Sequence, residues 1–343
     1  IIGRFSASTT SHVTIQVDKA INYEKTPSSG TWYTNGLGIA SSEGSGSGDD
    51  GEADNQHMDV IKENKLLPYT YTTVHEVYGS GSASTVGNYI DQGLSIINYT
   101  GHGSDTSWVT SGFDNNDIAG LSNGDMLPFI ISVACVNGTF HKSSDCFAEA
   151  WLRKSGGGAV AALMSTINQP WQPPMRGQDY MNDLLIGGYD YSANPGSGTS
   201  TTEGRTTFGS IAFNGLILMY AESAGSSDLD TIQTWTLFGD AALQVRTKSP
   251  TAISVSNKSV ESGVAFTTRV TASGSGVANA LVSLQQNGTV NSALTDANGD
   301  VTINHGLSGG AATLVVSGSN LATSYNEINV DGTGLRQLTL GPF

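Results

Sequence analysis

The chain is poor in charge, poor in cysteine and free of long apolar runs, and each shortage removes a class of protein. Only 13 % of its 343 residues are Asp, Glu, Lys or Arg, and 30 acidic residues outweigh 15 basic ones for a net charge of −15. Neutralising a phosphate backbone takes clustered Lys and Arg, so nucleic acid and anionic membrane surfaces are disfavoured as partners. The same field attracts cationic substrates, and acidity also keeps a secreted or salt-exposed protein soluble. No run of about 20 apolar residues is present, so no membrane insertion is expected. Two cysteines, Cys135 and Cys146, are too few for a secreted disulfide scaffold. One bridge between them is open in principle. Cys135, however, ends a hydrophobic run and precedes Val136-Asn137-Gly138, a context that suits a reactive thiol better than a staple. The N-terminus lacks a leader, because Ile1-Ile2-Gly3-Arg4 opens in strand-like sequence; the chain is expected to start inside a longer precursor.

What is present is an apolar fraction of 38 %, enough for a core, in a texture rich in Gly, Ser and Thr. That texture fits a loop-rich, secreted or cell-surface bacterial protein. Buried strands are expected at residues 32–41, 69–77, 93–100, 128–134 and 159–164, with a last one inside 235–246. Helices are expected at 55–66, 85–93 (capped by Ser84 or Thr85), 115–121, 146–154, 177–186 and 209–222. Residues 1–20 read as a short strand followed by an amphipathic segment. Apolar strands alternating with helices imply a mixed, mostly parallel sheet covered on both faces, with its site beyond the C-terminal strand ends. Composition changes near Lys248-Ser249-Pro250. Residues 249–332 alternate in the manner of a small β-sandwich, with turn signals about every ten residues, and 333–343 form a Gly-rich tail. Residues 1–248 make up the α/β unit.

Two strands of that unit end in reactive side chains. Ser95-Ile96-Ile97-Asn98-Tyr99-Thr100 runs into Gly101-His102-Gly103, and Phe129-Ile130-Ile131-Ser132-Val133-Ala134 runs into Cys135. A thiol at a strand end is partly exposed and rigidly held, and an imidazole leaving the neighbouring strand can reach it. Flanking glycines let a substrate carbonyl approach main-chain N–H groups, and the amides of Gly103 and Cys135 are natural oxyanion donors. Read as residues alone, the same pieces also suit a turn histidine and an inert core cysteine.

Asn98-Tyr99-Thr100-Gly101-His102-Gly103-Ser104 resembles the histidine motif of the gingipain family of caspase-like cysteine peptidases. Ser132-Val133-Ala134-Cys135-Val136-Asn137-Gly138 resembles its nucleophile motif, and further matches keep order and spacing from about Ile2 to Arg246. The resemblance implies an α/β caspase-like three-layer sandwich, followed by an all-β immunoglobulin-like sandwich. It implies a secreted cysteine endopeptidase acting on proteins or peptides, with no cofactor for catalysis. Cys135 is then the nucleophile and His102 its partner. Glu43 falls where the arginine-specific branch carries the acid that orients the histidine. Asp54 falls where that branch reads the basic side chain of the substrate; its other reading is a cap on the helix beginning near Asn55. Thr100 and Trp171 are expected in the same pocket. Asn168 stands where the lysine-specific branch carries an acid, which favours Arg over Lys. The match covers a second, catalytic subdomain, so an N-terminal subdomain or propeptide is an expected partner. Family members hold structural Ca²⁺, and the acidic run Asp49, Asp50, Glu52 and Asp54 is either such a site or a solvated loop; it lacks the EF-hand pattern. His12, His57, His75, His141 and His305 lack ligand spacing and read as structural or surface residues. Two other readings stay open: the same mechanism with a non-basic substrate residue, and a silent adhesin or surface module on a peptidase-like fold.

Overall fold

Six short runs of buried residues line up as one sheet. They are β1 (Asn35–Ala40), β2 (Thr73–Tyr78), β3 (Ile96–Thr100), β4 (Phe129–Val133), β5 (Ala161–Ser165) and β6 (Trp235–Gly239), in the order β2-β1-β3-β4-β5-β6. Neighbours are parallel from β2 through β5, and β6 returns antiparallel to β5. The computed structural model describes residues 2–79, 81–188 and 206–332. The expected Gly-rich tail at 333–343 lies outside them. The chain divides into two compact units, Ile1–Ser249 and Pro250–Phe343.

Every residue of β3, β4 and β5 is buried, as in a sheet covered on both faces. Successive side chains point to opposite faces, and the two hydrophobic clusters follow that alternation. Phe129, Ile131 and Val133 feed one cluster while Ile130 feeds the other; Ala161 and Leu163 oppose Ala162 and Met164 in the same way. The first cluster is closed by residues of α1 (Thr10–Lys25), α6 (Gln172–Ile186) and α7 (Phe208–Ser223). The second is closed by α3 (Ala83–Asp91), α4 (Asn115–Gly120) and α5 (Phe147–Arg153). Each fully buried Leu, Ile, Val or Phe contributes about 1.5–3 kcal/mol of transfer free energy, so the sheet is the rigid base for whatever stands at its ends.

Several local expectations change. The helix expected at 55–66 is α2 (Asp54–Val60), continued as a π-helical stretch over Ile61–Leu66. The helix at 85–93 starts at Ala83 because Ser82, not Ser84 or Thr85, caps it by accepting from the Thr85 N–H. The helix at 177–186 starts at Gln172: Pro173 and Pro174 sit in its first turn, where a missing N–H costs nothing, and Gly187 at φ 72° ends it. The N-terminal strand is a single bridge from Arg4 to Phe238. A polar helix, α8 (Ser226–Thr234), was not expected; its sequence SSDLDTIQT carries too little apolar periodicity to announce it.

The second unit has two sheets. One joins Ile253–Val255, Phe266–Ala272, Ser275–Gly276 and Asp300–Ile303; the other joins Val260–Glu261, Ser324–Asp331, Gly310–Ser317, Leu281–Gln286 and Thr289–Leu294. Alternating residues such as Val282, Leu284, Leu314 and Val316 are fully buried and form its core.

Candidate active site

The C-terminal ends of β3 and β4 lie side by side, with Thr100 paired to Val133. Just beyond them the chain leaves the sheet at Gly101 and Ala134. His102 and Cys135 therefore emerge at the same rim, and both line one cleft with Asp54, Thr100, Gly101, Gln169, Trp171 and Met175. Both cysteines are free thiols: Cys135 is partly exposed and Cys146 is buried. Burial pushes the Cys146 thiol up to about 12, which leaves it inert.

The two reactive loops are braced separately and then to each other. Tyr99 stacks on Trp108 at 4.9 Å, and its hydroxyl donates to the carbonyl of His102 at 2.5 Å. Gly103–Ser104 opens a three-stranded antiparallel sheet with Ser107–Trp108 and Phe113–Asp114. Buried Asn137, two residues past Cys135, donates from Nδ2 to the carbonyls of Ser104 (2.7 Å) and Ser107 (3.0 Å). Its Oδ1 accepts from Ser132 Oγ at 3.1 Å. The loops also touch through the main chain: a Cβ on Gly103 would overlap the carbonyl oxygen of Cys135 and come within 3.0 Å of its nitrogen. Glycine at 103 is therefore a packing requirement. The N–H groups flanking Cys135 are occupied, Ala134 donating to Gln169 Oε1 at 3.1 Å and Val136 to the Ile167 carbonyl at 2.9 Å. Val136 itself has φ 52°, an uncommon conformation for a β-branched residue, and it turns the chain sharply after the thiol.

The carboxylates come from the loop after β1. Glu43 Oε2 lies 2.8 Å from His102 Nε2, with the two side chains 60 % and 50 % exposed. Asp54, by contrast, is 1 % exposed. Its Oδ2 accepts from Ser41 Oγ at 2.5 Å and its Oδ1 from Trp171 Nε1 at 3.1 Å. Burial raises its carboxyl above the usual range, and these two hydrogen bonds oppose that shift. Asp54 is the first residue of α2, but Ala53 occupies the cap position, so its side chain serves the cleft and not the helix end. The loop closes on itself, with the Asp54 N–H donating to the Glu43 carbonyl at 2.9 Å and the Glu43 N–H to Ser41 Oγ at 3.0 Å.

Trp171 stands at the mouth, 37 % exposed, with its indole edge-on to the His102 ring at 5.8 Å. Thr100 is buried under the cleft and donates from Oγ1 to Gln178 Oε1 at 2.7 Å. Asn168 is exposed and is not among the lining residues. Gln169, Met175 and Ser41 complete the site and had no signal of their own in the sequence. Gln169 directly follows Asn168, and its buried Nε2 lacks a partner among the described residues.

The acidic run does not converge. Asp49 pairs with Arg176 at 3.2 Å, Glu52 with His57 at 3.1 Å, and Asp54 turns into the cleft. Among the described residues no three His, Cys, Asp or Glu side chains stand where they could share a metal ion. These acids therefore make separate contacts and do not form one carboxylate cluster.

Residues 1–246 match peptidase family C25. Gingipain R2 of Porphyromonas gingivalis is 38 % identical over 345 residues, covering 97 % of this chain and 44 % of that protein. Gingipain R1 of the same organism is 39 % identical over 341 residues, covering 96 % of this chain and 33 % of that protein. Lys-gingipain is 30 % identical over 186 residues, 52 % of this chain and 10 % of that protein. The crystal structure of the Arg-specific cysteine proteinase gingipain R superposes with a TM-score of 0.85 at 36 % identity, covering 96 % of this chain and 75 % of that one. The chain thus spans less than half the length of the curated relatives R2 and R1. With the motifs, the cleft and these similarities in agreement, the chain belongs to peptidase family C25, the gingipain-like cysteine peptidases.

Proposed function

We propose that the chain is the catalytic part of a cysteine endopeptidase that cleaves after a basic residue, Arg before Lys. One observation carries the reading: a single cleft is lined by a free thiol, Cys135, by His102, whose imidazole Glu43 meets at 2.8 Å, and by a buried carboxylate, Asp54. Cys135 gives its thiol proton to His102 and its Sγ attacks the scissile carbonyl carbon, while the developing oxyanion takes hydrogen bonds from the N–H groups of Cys135 and Gly103. Protonated His102 gives its proton to the leaving amine as the C–N bond breaks, which leaves a thioester on Cys135. Neutral His102 then removes a proton from water as the water oxygen attacks the thioester carbon; the C–S bond breaks, the new acid departs, and His102 returns the proton to Cys135 Sγ. Glu43 holds the imidazole in register and stabilises its cation.

Asp54 supplies the counter-charge for a guanidinium, and Trp171 lies along the aliphatic stem. An acid buried in the cleft favours a basic substrate residue over a neutral one. Arginine specificity is the property stated for the gingipain R structure, and we carry it to this chain. The finer architecture we propose is caspase-like for residues 1–248, with an immunoglobulin-like sandwich over 249–332. Relative gingipain R is known in complex between its pro- and mature domains, and a propeptide or upstream subdomain is the partner we propose here. Secretion or display on a bacterial surface fits the acidic, Gly- and Ser-rich composition.

The test uses the full-length, activated protein under reducing conditions, with fluorogenic peptides that end in Arg, Lys or a neutral residue. Turnover in the order Arg, Lys, neutral is expected, together with loss of labelling at Cys135 when an Arg-based covalent inhibitor is present. No turnover and no labelling of Cys135 overturns the assignment.

A further inference from the structure

Beneath the cleft lies a set of buried amides that the chemistry above does not use. Asn98, Gln178 and Asn182 are each at most 1 % exposed. Burying a carboxamide is unfavourable unless all its groups are paired, so such a cluster has a specific geometric effect. Gln178 is the residue that joins everything. Its two Nε2 hydrogens are shared among Asn98 Oδ1 (3.1 Å), the Ile131 carbonyl (3.2 Å) and, more distantly, the Tyr99 carbonyl (3.4 Å). Those three acceptors fix which way the amide faces, and its Oε1 accepts the Thr100 hydroxyl at 2.7 Å.

One side chain therefore reaches both strands that deliver the reacting groups: β3, which leads to His102, and β4, which leads to Cys135. It does so from α6, the helix that Trp171 immediately precedes and that holds Met175 one turn ahead of Gln178. Asn182, one turn further, bonds Asn98 (3.1 Å) and the Gln178 carbonyl (2.9 Å) but no residue that lines the cleft.

We infer that Gln178 is a positioning residue for specificity: it sets the distance between the Trp171–Met175 wall and the strand ends, and so the width of the slot above Asp54. This rests on the proposed peptidase activity toward basic residues. The strand ends are held to each other by their own backbone ladder, with Thr100 paired to Val133, so loss of the amide is expected to move the helix wall more than the thiol or the imidazole, and a wall at a changed distance relaxes discrimination between basic side chains.

The experiment compares wild type, Gln178→Met, Thr100→Val and Asn182→Leu in the full-length activated protein. Reactive Cys135 is counted by stoichiometric inhibitor, and rates are taken well below each melting temperature. Gln178→Met is expected to raise KM for an Arg substrate about tenfold, with kcat within about twofold, and to narrow the Arg-to-Lys ratio of kcat/KM. Thr100→Val, which removes a single link, is expected to move the ratio the same way, and a variant carrying both Gln178→Met and Thr100→Val to change it less than the sum. Asn182→Leu is expected to lower the melting temperature and leave the ratio alone. An unchanged ratio in both Gln178→Met and Thr100→Val overturns the inference, as does an equal change in Asn182→Leu, which marks general loosening. Failure of wild type to cleave any basic substrate strikes the proposed function instead.

Discussion

Trp171 donates its indole N–H to Asp54, 3.1 Å away, although 117 residues separate them. The bond joins the residue ahead of α6 to the first residue of α2, and it occupies one carboxylate oxygen. Ser41 occupies the other at 2.5 Å. A cationic side chain entering the cleft must share or displace these donors, which hold the carboxylate in a fixed orientation.

Replacing Asp54 by Asn keeps both the volume and an acceptor for Trp171 but removes the charge. A charge-assisted bond is worth about 1.5–3 kcal/mol, so kcat/KM for an Arg substrate is expected to fall about 10- to 150-fold. A neutral-residue substrate is expected to change far less. Equal losses on both substrates would show that Asp54 supports the fold of the site and does not read charge.

Glu43→Gln separates orientation from stability. The Glu43–His102 pair is half exposed, so its loss is expected to cost no more than about 1 kcal/mol of folding stability. The effect on kcat is expected at about 10- to 100-fold, because an imidazole without its carboxylate samples wrong tautomers. Denaturant melts and steady-state kinetics on the same preparation distinguish the two.

The cysteines are expected to part company under alkylation. In the native protein a small alkylating reagent reaches only Cys135, since Cys146 is 1 % exposed and its thiol is pushed up to about 12. Mass spectrometry is expected to show one adduct per native chain and two after unfolding. Two adducts in the native state would mean that the α5 N-terminus opens.

Asp49 gives a pH signature in stability. Burial lifts its carboxyl from 3.8 to about 6, against the pull of Arg176 and with help from Asp50 and Glu222. Between those values the folded chain holds a proton that the unfolded chain has released. Stability contributed by this group is therefore greatest below about pH 4, declines as the pH rises to about 6, and stays at its lower level above. Asp49→Asn is expected to flatten that part of the profile in urea midpoints measured from pH 4 to 7.

The sheet and the reactive pair were legible because their signals are local. Continuous apolar runs mark strands buried on both faces, and Gly101-His102-Gly103 and Cys135 follow two of them directly. Strand order and the antiparallel turn of β6 are not local; they are set by packing across residues far apart in sequence. Asp54 reads as well for a helix cap as for a specificity acid; the structure puts Ala53 at the cap and ties Asp54 to Trp171 in the cleft, a long-range contact that no local pattern announces. Gln178 and Asn182 looked like polar positions on a helix, because a buried amide differs from a solvated one only in what faces it. Ser82 took the cap from Ser84 because three hydroxyl residues, Ser82, Ser84 and Thr85, compete there, and backbone geometry alone chooses among them.

The neck between Glu43 and Asp54 gives the cleft an engineering handle. Its two carboxylates are fixed at the base of a short excursion whose ends are tied by a backbone hydrogen bond of 2.9 Å, while at Gly46 a side chain would meet no atom within 4 Å. Gly46 itself sits at φ 77° and its N–H donates to the Gly51 carbonyl at 2.9 Å, so foreign sequence, such as a tag or a sensor peptide, is expected to be accepted beside Gly46 with that glycine kept, outside the knot that holds the acids. The same tip would be the tolerant place to sever the chain.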